Sequence, residues 1–428
     1  MSLLTMYVVL LLGLPAQLVV APLGGAGSPA QLVGLVALLW WAAHRLAHGK
    51  ASPTSGRRLR VALAALVTSV LLSYVAANLR PLGGIESRAA DRGLLIVAAW
   101  CGLLLVATDG ITNRRRLETL LARLTLGGGL LASLGVLQFF TGMPFIDHLH
   151  IPGLSANSDY GVVMSSRGFA RPAGTALHPI EFGVVLTMIL PLALHGALEC
   201  RSLGLFRRWF PVAAIALAVP ISISRSAILG AVVVMVLLLP TWSRSRRRLA
   251  YACLCLLGGV VFIAVPGLLG TLKGSFTGVS SDSSALSRTG SYQIAGQYIA
   301  RAPVTGRGFS TFLPAYRILD NQYLGILIEL GVVGLLTVLA LFAVGFITAR
   351  QVRRRSADVD TRQLAQALAA SVAAGAVSFA LFDAFSFPMV SGLMFLVLGL
   401  TGALCTLQSR EHRPSVPGQG MSEPEHPS

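Results

Sequence analysis

The sequence predicts an all-α, polytopic transmembrane helical bundle of about twelve spans with two long extracytoplasmic loops. Three observations carry this. Of 428 residues, 54% are hydrophobic and only 12% charged, about half the charge of a soluble domain. Apolar runs of roughly 20 residues recur from end to end, each sufficient to cross a hydrocarbon layer about 30 Å thick. Backbone groups must bond internally in lipid, which makes such runs helices, and the period-two alternation of a membrane β-barrel is absent. Mean hydropathy is +0.72.

Spans are expected near 4–21, 30–47, 61–78, 93–108, 119–141 and 177–197. Six more follow near 209–223, 226–240, 250–270, 321–348, 364–384 and 388–407. The first lacks a basic flank and reads as an uncleaved helix rather than a signal peptide. Residues 1–408 form one transmembrane domain, and the polar, Pro-rich 409–428 read as a disordered cytoplasmic tail.

The net charge of +17 would suggest nucleic acid in a soluble chain, but its distribution excludes that. Basic residues gather in short clusters between apolar runs, including Arg57–Arg60, Arg114–Arg116, Arg244–Arg248 and Arg353–Arg355. Assigning these clusters to the cytoplasm places both termini inside. The same bias resolves residues 209–240, where Arg225 interrupts an apolar stretch. One long span would expose a basic cluster outside; two short helices keep Arg207, Arg208 and Arg244–Arg248 inside and put Arg225 at the outer turn. Cys101, Cys200, Cys253, Cys255 and Cys405 match no metal or haem spacing and read as packing residues.

The outer loops fall at about 142–176 and 271–320. The second contains a segment, 287–299, with the pattern of an amphipathic helix on the membrane surface. Ionisable groups near lipid are costly, so each is a functional candidate. His178 and Glu181 share one face at the outer start of their helix, Asp320 opens the tenth span with Glu329 deeper, and Asp383 ends the eleventh. His195, at the inner end, reads as structural. Outer basic residues include Arg80, Arg88, Arg92, Arg167, Arg171, Lys273, Arg288, Arg301, Arg307 and Arg317. Together with Arg225 they suggest an anionic ligand, because guanidinium groups grip phosphate through a planar fork. His178 with Glu181 also fits a polar pair at a helix end, and Glu329 an interhelical hydrogen bond. Gly331 and Gly334 read as close helix packing.

Four segments carry a family resemblance: Arg171 through Pro179 (RPAGTALHP), Ser222–Ala227 (SISRSA), Arg288 followed by Pro303–Phe309 (PVTGRGF), and Asp320–Leu324 (DNQYL) leading to Glu329. In order and side of the membrane they resemble the O-antigen ligase and O-antigen polymerase superfamily of membrane glycosyltransferases. The resemblance implies a GT-C-like, metal-independent enzyme in the bacterial cytoplasmic membrane. Its donor would be a polyprenyl-pyrophosphate-linked saccharide, its acceptor a saccharide or lipid, and it would need no cofactor. Arg171, Arg225 and Arg288 would hold the pyrophosphate. The base would be Asp320, Glu181 or His178, with Asn321, Tyr323 and Glu329 as further candidates. Lipopolysaccharide ligases usually have His where Asp320 stands, so Asp320 looks more like polymerase-type members. The alternative is a secondary transporter or flippase of lipid-linked saccharide, although transporters place their coupling residues near the midplane.

Overall fold

The computed structural model describes residues 2–49, 56–146, 149, 151–157, 164–166, 169–199, 204–265, 267, 270 and 283–411. The helices are α1 Leu3–Gly13, α2 Pro29–His48, α3 Arg57–Asn78, α4 Gly84–Gly110, α5 Arg114–Thr141 and α6 Pro179–Glu199. They continue as α7 Leu205–Ile221, α8 Arg225–Leu238, α9 Arg244–Ala264, α10 Ser283–Arg301, α11 Gln322–Arg355, α12 Val359–Ser378 and α13 Pro388–Glu411. Each expected span has a helix, α10 being the extramembrane addition. Eight of the described helices are long and apolar enough to cross a membrane, so the protein is an all-α polytopic membrane bundle. Two small antiparallel pairs complete it: β1 (Leu18–Val19) with β2 (Ser155–Ala156), and β3 (Met164–Ser166) with β4 (Phe169–Arg171).

Helices α6 and α13 are almost entirely buried and form the axis of the bundle, whereas α9 is nearly all exposed. The tail after Glu411, and therefore most of the expected disordered segment, lies outside the described residues; up to Glu411 the chain remains helical.

The ends of the bundle differ. One carries the 142–176 and 302–321 connections, termed here the loop face. The other carries the arginine clusters tied by ion pairs: Arg45 and Arg60 to Asp109 at 2.7 and 2.9 Å, Arg246 to Glu199 at 2.7 Å, and Arg114 to Asp360. His195 Nε2 lies 3.6 Å from Asp360 at this end, consistent with a structural role.

Several boundaries depart from expectation. The first span stops at Gly13 because Leu14, preceding Pro15, is extended, as steric contact with a proline ring demands. The chain then crosses the loop face in β1 and a 3₁₀ turn at Ala21–Gly27. Helix α12 stops at Ser378, so Asp383 lies in the connection to α13 instead of ending a helix. Helix α10 covers the expected amphipathic segment but does not lie free: Ala295, Tyr298 and Ile299 pack on Leu319, Leu324 and Ile328.

The largest departure is in α11. Gly331, expected to mediate close packing, has φ 66° and ψ −167° and breaks the helix. The backbone groups released there are taken up by the incoming loop. Arg307 N donates to Ile328 O at 3.0 Å, Gly308 N to Glu329 O at 2.9 Å, and Val332 N to Pro303 O at 2.9 Å. A Cβ on residue 331 would collide with the Val304 carbonyl. Broken helices persist near lipid only where protein satisfies the freed groups, and residues 303–308 do so. The 24 residues after the break extend about 36 Å, enough to cross alone. The segment 322–330 therefore belongs to the loop face.

Candidate functional site

The site is built where helices that start at the loop face converge. Helix α6 carries Gly183 against the α7–α8 turn, where an added Cβ would meet Ala227 Cβ at 2.6 Å and Ser222 Oγ at 2.8 Å. Only glycine permits that approach, and it sets Arg225 beside the start of α6. The hairpin is two short helices of 17 and 14 residues, as the charge distribution required. At 1.5 Å per residue they span about 25 and 21 Å, which holds the Arg225 turn at the membrane boundary instead of beyond it. Ile223 takes φ 47° in this turn, a strained conformation for a β-branched residue and one that clusters at functional positions. Ser224 caps α8 by accepting from Ala227 N at 3.4 Å.

Arg171 arrives on β4 from the opposite side. Its segment is pinned to the bundle: Gly174 N donates to Gln138 Oε1 at 2.8 Å, and Thr175 Oγ1 to Leu12 O at 2.7 Å. Arg171 Nε donates to Ser222 O at 3.4 Å. Burial, together with the nearby Arg225 charge, pushes Arg171 below its usual value. Two guanidinium groups are thus held within each other's field at the N-terminus of α8, whose first turn contains no acidic residue. Helix N-termini carry partial positive charge, so like charge is concentrated at this point.

His178 adjoins the pair. Its Nδ1 accepts from Ile180 N at 3.1 Å, which fixes the tautomer with hydrogen on Nε2. Burial, then Arg171, lowers it to about 4, so it is a neutral donor at ordinary pH. Glu181, expected as a possible base, is fully buried; its oxygens accept from Leu177 N at 2.8 Å and Met389 N at 2.7 Å. It joins the starts of α6 and α13.

A cavity of about 270 Å³ opens on the same face, lined in part by Leu177, Arg317, Asn321, Gln322, Glu329 and Asp383. Gln322 ties its floor together: its N donates to Phe379 O at 2.8 Å and its Oε1 accepts from Phe385 N at 2.7 Å. Asp383 is pushed up to about 6, first by burial and, as a smaller effect, by the charge of Asp320. The His178 ring lies 6.1 Å from Phe387, so His178 and Asp383 border the same 379–387 connection.

Other candidates are sorted by their partners. Asn321 caps α11, accepting from Tyr323 N and Leu324 N at 3.0 and 3.3 Å, and Tyr323 Oη donates to Ala376 O at 2.6 Å. Glu329 Oε1 accepts from Phe312 N at 3.1 Å and also borders the cavity. Arg307 and Arg80 both engage Glu86, and Arg307 stacks 4.8 Å over Tyr298. Arg301 lies over the same ring. Arg317 Nε donates to Ser291 Oγ at 3.1 Å. The backbone of Arg288 belongs to α10; its side chain, like Arg167, Lys273 and Tyr160, lies outside the described residues. Gln322 was not singled out from sequence, and Asp383 and Arg317 stood out only as members of the outer charged set. The acid's position two residues from Phe385 in an apolar connection was the available signal.

A polytopic helical membrane protein with two neighbouring arginines and a polar cavity at its loop face is the class that fold and site define. Residues 210–339 match the family model described as O-Antigen ligase, and the resemblance to the O-antigen ligase and polymerase superfamily holds over that segment. Arg225, Arg288, the 303–309 loop and Asp320–Glu329 fall within the match, while Arg171 and His178 lie outside it. No curated protein matches the chain.

Proposed function

We propose that the chain is a glycosyltransferase of the O-antigen polymerase or ligase type, working at the extracytoplasmic face of the bacterial cytoplasmic membrane. The observation that carries this is the Arg171–Arg225 pair, two cations brought together at a helix N-terminus that has no acid of its own. The arginine-rich opposite end supports assigning the loop face to the outside. The donor is a saccharide on a polyprenyl pyrophosphate. Arg171 and Arg225 hold the pyrophosphate with His178 beside them, and the family resemblance adds Arg288, on α10, as a third arginine.

The reaction breaks the bond between the sugar's anomeric carbon and a pyrophosphate oxygen and joins that carbon to an acceptor oxygen. The leaving group departs as polyprenyl pyrophosphate, and fixed guanidinium groups stabilise its growing charge without a metal. The acceptor hydroxyl gives its proton to Asp320, the base we favour because its chain neighbours Leu319 and Asn321 line the cavity. His178 accepts from Ile180 N, Glu181 accepts from Leu177 N and Met389 N, and neither side chain lines the cavity, so each positions rather than abstracts.

Asp320→Asn tests the assignment in proteoliposomes holding lipid-linked donor. Transfer falls by a factor on the order of 10² to 10⁴, the range for loss of a general base, while donor binding and insensitivity to EDTA persist. Full transfer by a folded Asp320→Asn protein rules Asp320 out as the base. The transporter alternative predicts saccharide movement across the vesicle membrane without a new glycosidic bond. The broken α11 suits that class, but its freed groups are occupied by residues 303–308 and the ionisable groups crowd one face.

A further inference from the structure

At the end of the bundle opposite Arg171 and Arg225 a second cavity, of about 650 Å³, opens between the start of α1 and the start of α5. Thr175 is bonded to Leu12 at the far end of α1, so Ser2 lies at the arginine-rich face. Ser2, Arg115, Arg116 and Arg123 line its mouth, and Leu4 and Leu120 its wall. Among the described residues no acidic side chain lines it.

Its charge is arranged against the helices that form it. Arg115 and Arg116 occupy the first turn of α5, and neither α1 nor α5 has an acid in its first turn. A cation there opposes the helix dipole by a few tenths to about 1 kcal/mol. Neighbouring Arg114 is compensated, by Glu118 at 2.7 Å and by Asp360. Arg115, Arg116 and Arg123 have no carboxylate partner among the described residues: Arg116 donates to Thr112 Oγ1 at 3.3 Å and Arg123 to Thr5 Oγ1 at 2.6 Å. Three guanidinium groups of α5, two of them in its first turn, border one opening beside the start of α1 and call for an anion. The apolar wall calls for a chain attached to it.

We propose that this cavity seats the phosphate of an anionic membrane phospholipid, with an acyl chain along Leu4 and Leu120. Basic pockets between spans on this side of a membrane suit such headgroups. The lipid fastens α1, a helix of only 11 residues, to α5 in the leaflet opposite the transfer site.

The probe is dioleoyl phosphatidylglycerol added to lipid-stripped full-length protein, with dioleoyl phosphatidylcholine and inorganic phosphate as controls; bound lipid is counted by native mass spectrometry. The wild type retains the anionic lipid over the zwitterionic one by roughly tenfold, as expected for one or two basic contacts, and inorganic phosphate does not displace it. Arg115→Gln with Arg116→Gln and Arg123→Gln removes the preference. Thr119→Glu provides a variant that keeps its fold, since the new carboxylate sits four residues from both Arg115 and Arg123, a stabilising spacing. It fills the site internally and brings the preference to about one with unfolding temperature maintained. A tenfold preference surviving in Thr119→Glu overturns the proposal. So does displacement by inorganic phosphate, which would make the cavity a free-anion site.

Discussion

Arg225→Gln separates a binding arginine from a structural one, because the two roles predict different changes in stability. Arg225 stands in the first turn of α8 without an acid nearby in that turn, and within the field of Arg171. Its charge opposes the helix dipole by about 0.3–1 kcal/mol, and repulsion from Arg171 adds to that. The uncharged amide removes these unfavourable terms and keeps a polar chain of similar reach that can still donate a hydrogen bond, so the substituted protein without donor stays within about 1 kcal/mol of wild type. With donor bound a clear loss appears. Loss of one fixed group that stabilises a leaving anion costs about 10² to 10³ in turnover, or roughly 3–4 kcal/mol. Arg225→Lys retains charge but loses the bidentate fork and falls between the two. Thermal unfolding of the full-length protein in detergent reads the first effect, and donor turnover in proteoliposomes reads the second. Wild-type turnover in a folded Arg225→Gln protein refutes the reasoning. Strong destabilisation refutes it equally, since it would make Arg225 part of the scaffold.

Asp383 gives a pH signature: its folded value near 6 exceeds the ordinary 3.8, so the folded chain holds a proton the unfolded chain has lost. Asp383's share of stability therefore declines as pH rises from about 4 through 6, opposite to the gain from His178, whose value of about 4 lies below the ordinary 6.5. Asp383→Asn removes the declining share, so unfolding temperature rises more steeply with pH in the variant than in wild type. Gly331→Ala forces a side chain into the φ 66° position and against Val304; a loss of about 2–3 kcal/mol is expected from backbone strain and displacement of the 303–308 loop. Its check is unfolding temperature alongside loss of transfer.

The spans were legible because hydropathy acts over whole runs and survives local irregularity. The α7–α8 hairpin was legible for a different reason: only two short helices left Arg207, Arg208 and Arg244–Arg248 on one side. What escaped depended on backbone geometry or on distant partners. Pro15 shortens α1 within an apolar run that shows no change of hydropathy. Gly331 carries the same letter whether it allows close packing or breaks a helix, and the compensating bonds come from residues 303–308. Arg80 and Arg307 read as ligand-seeking cations until Glu86 appears beside them; Arg307 and Glu86 are 221 positions apart in the chain. Asn321 and Tyr323 were singled out as candidates within the DNQYL segment, yet their side chains cap α11 and tie it to α12. Within the site, Arg171 lies near Arg225 and His178, whereas the side chain of Arg288, the third arginine expected there, lies outside the described residues. A helix-end role for Glu181 was among the sequence readings, but its partner was not legible, because Met389 lies 208 residues away.

The most direct test of the account is equilibrium binding of a polyprenyl pyrophosphate, without sugar, to the purified full-length protein. Wild type binds saturably and prefers the pyrophosphate to the corresponding polyprenol, while Arg171→Gln combined with Arg225→Gln loses that preference and remains folded. Equal binding of pyrophosphate and alcohol by wild type, or undiminished preference in the double variant, contradicts the claim that these two arginines hold a phosphate-bearing lipid.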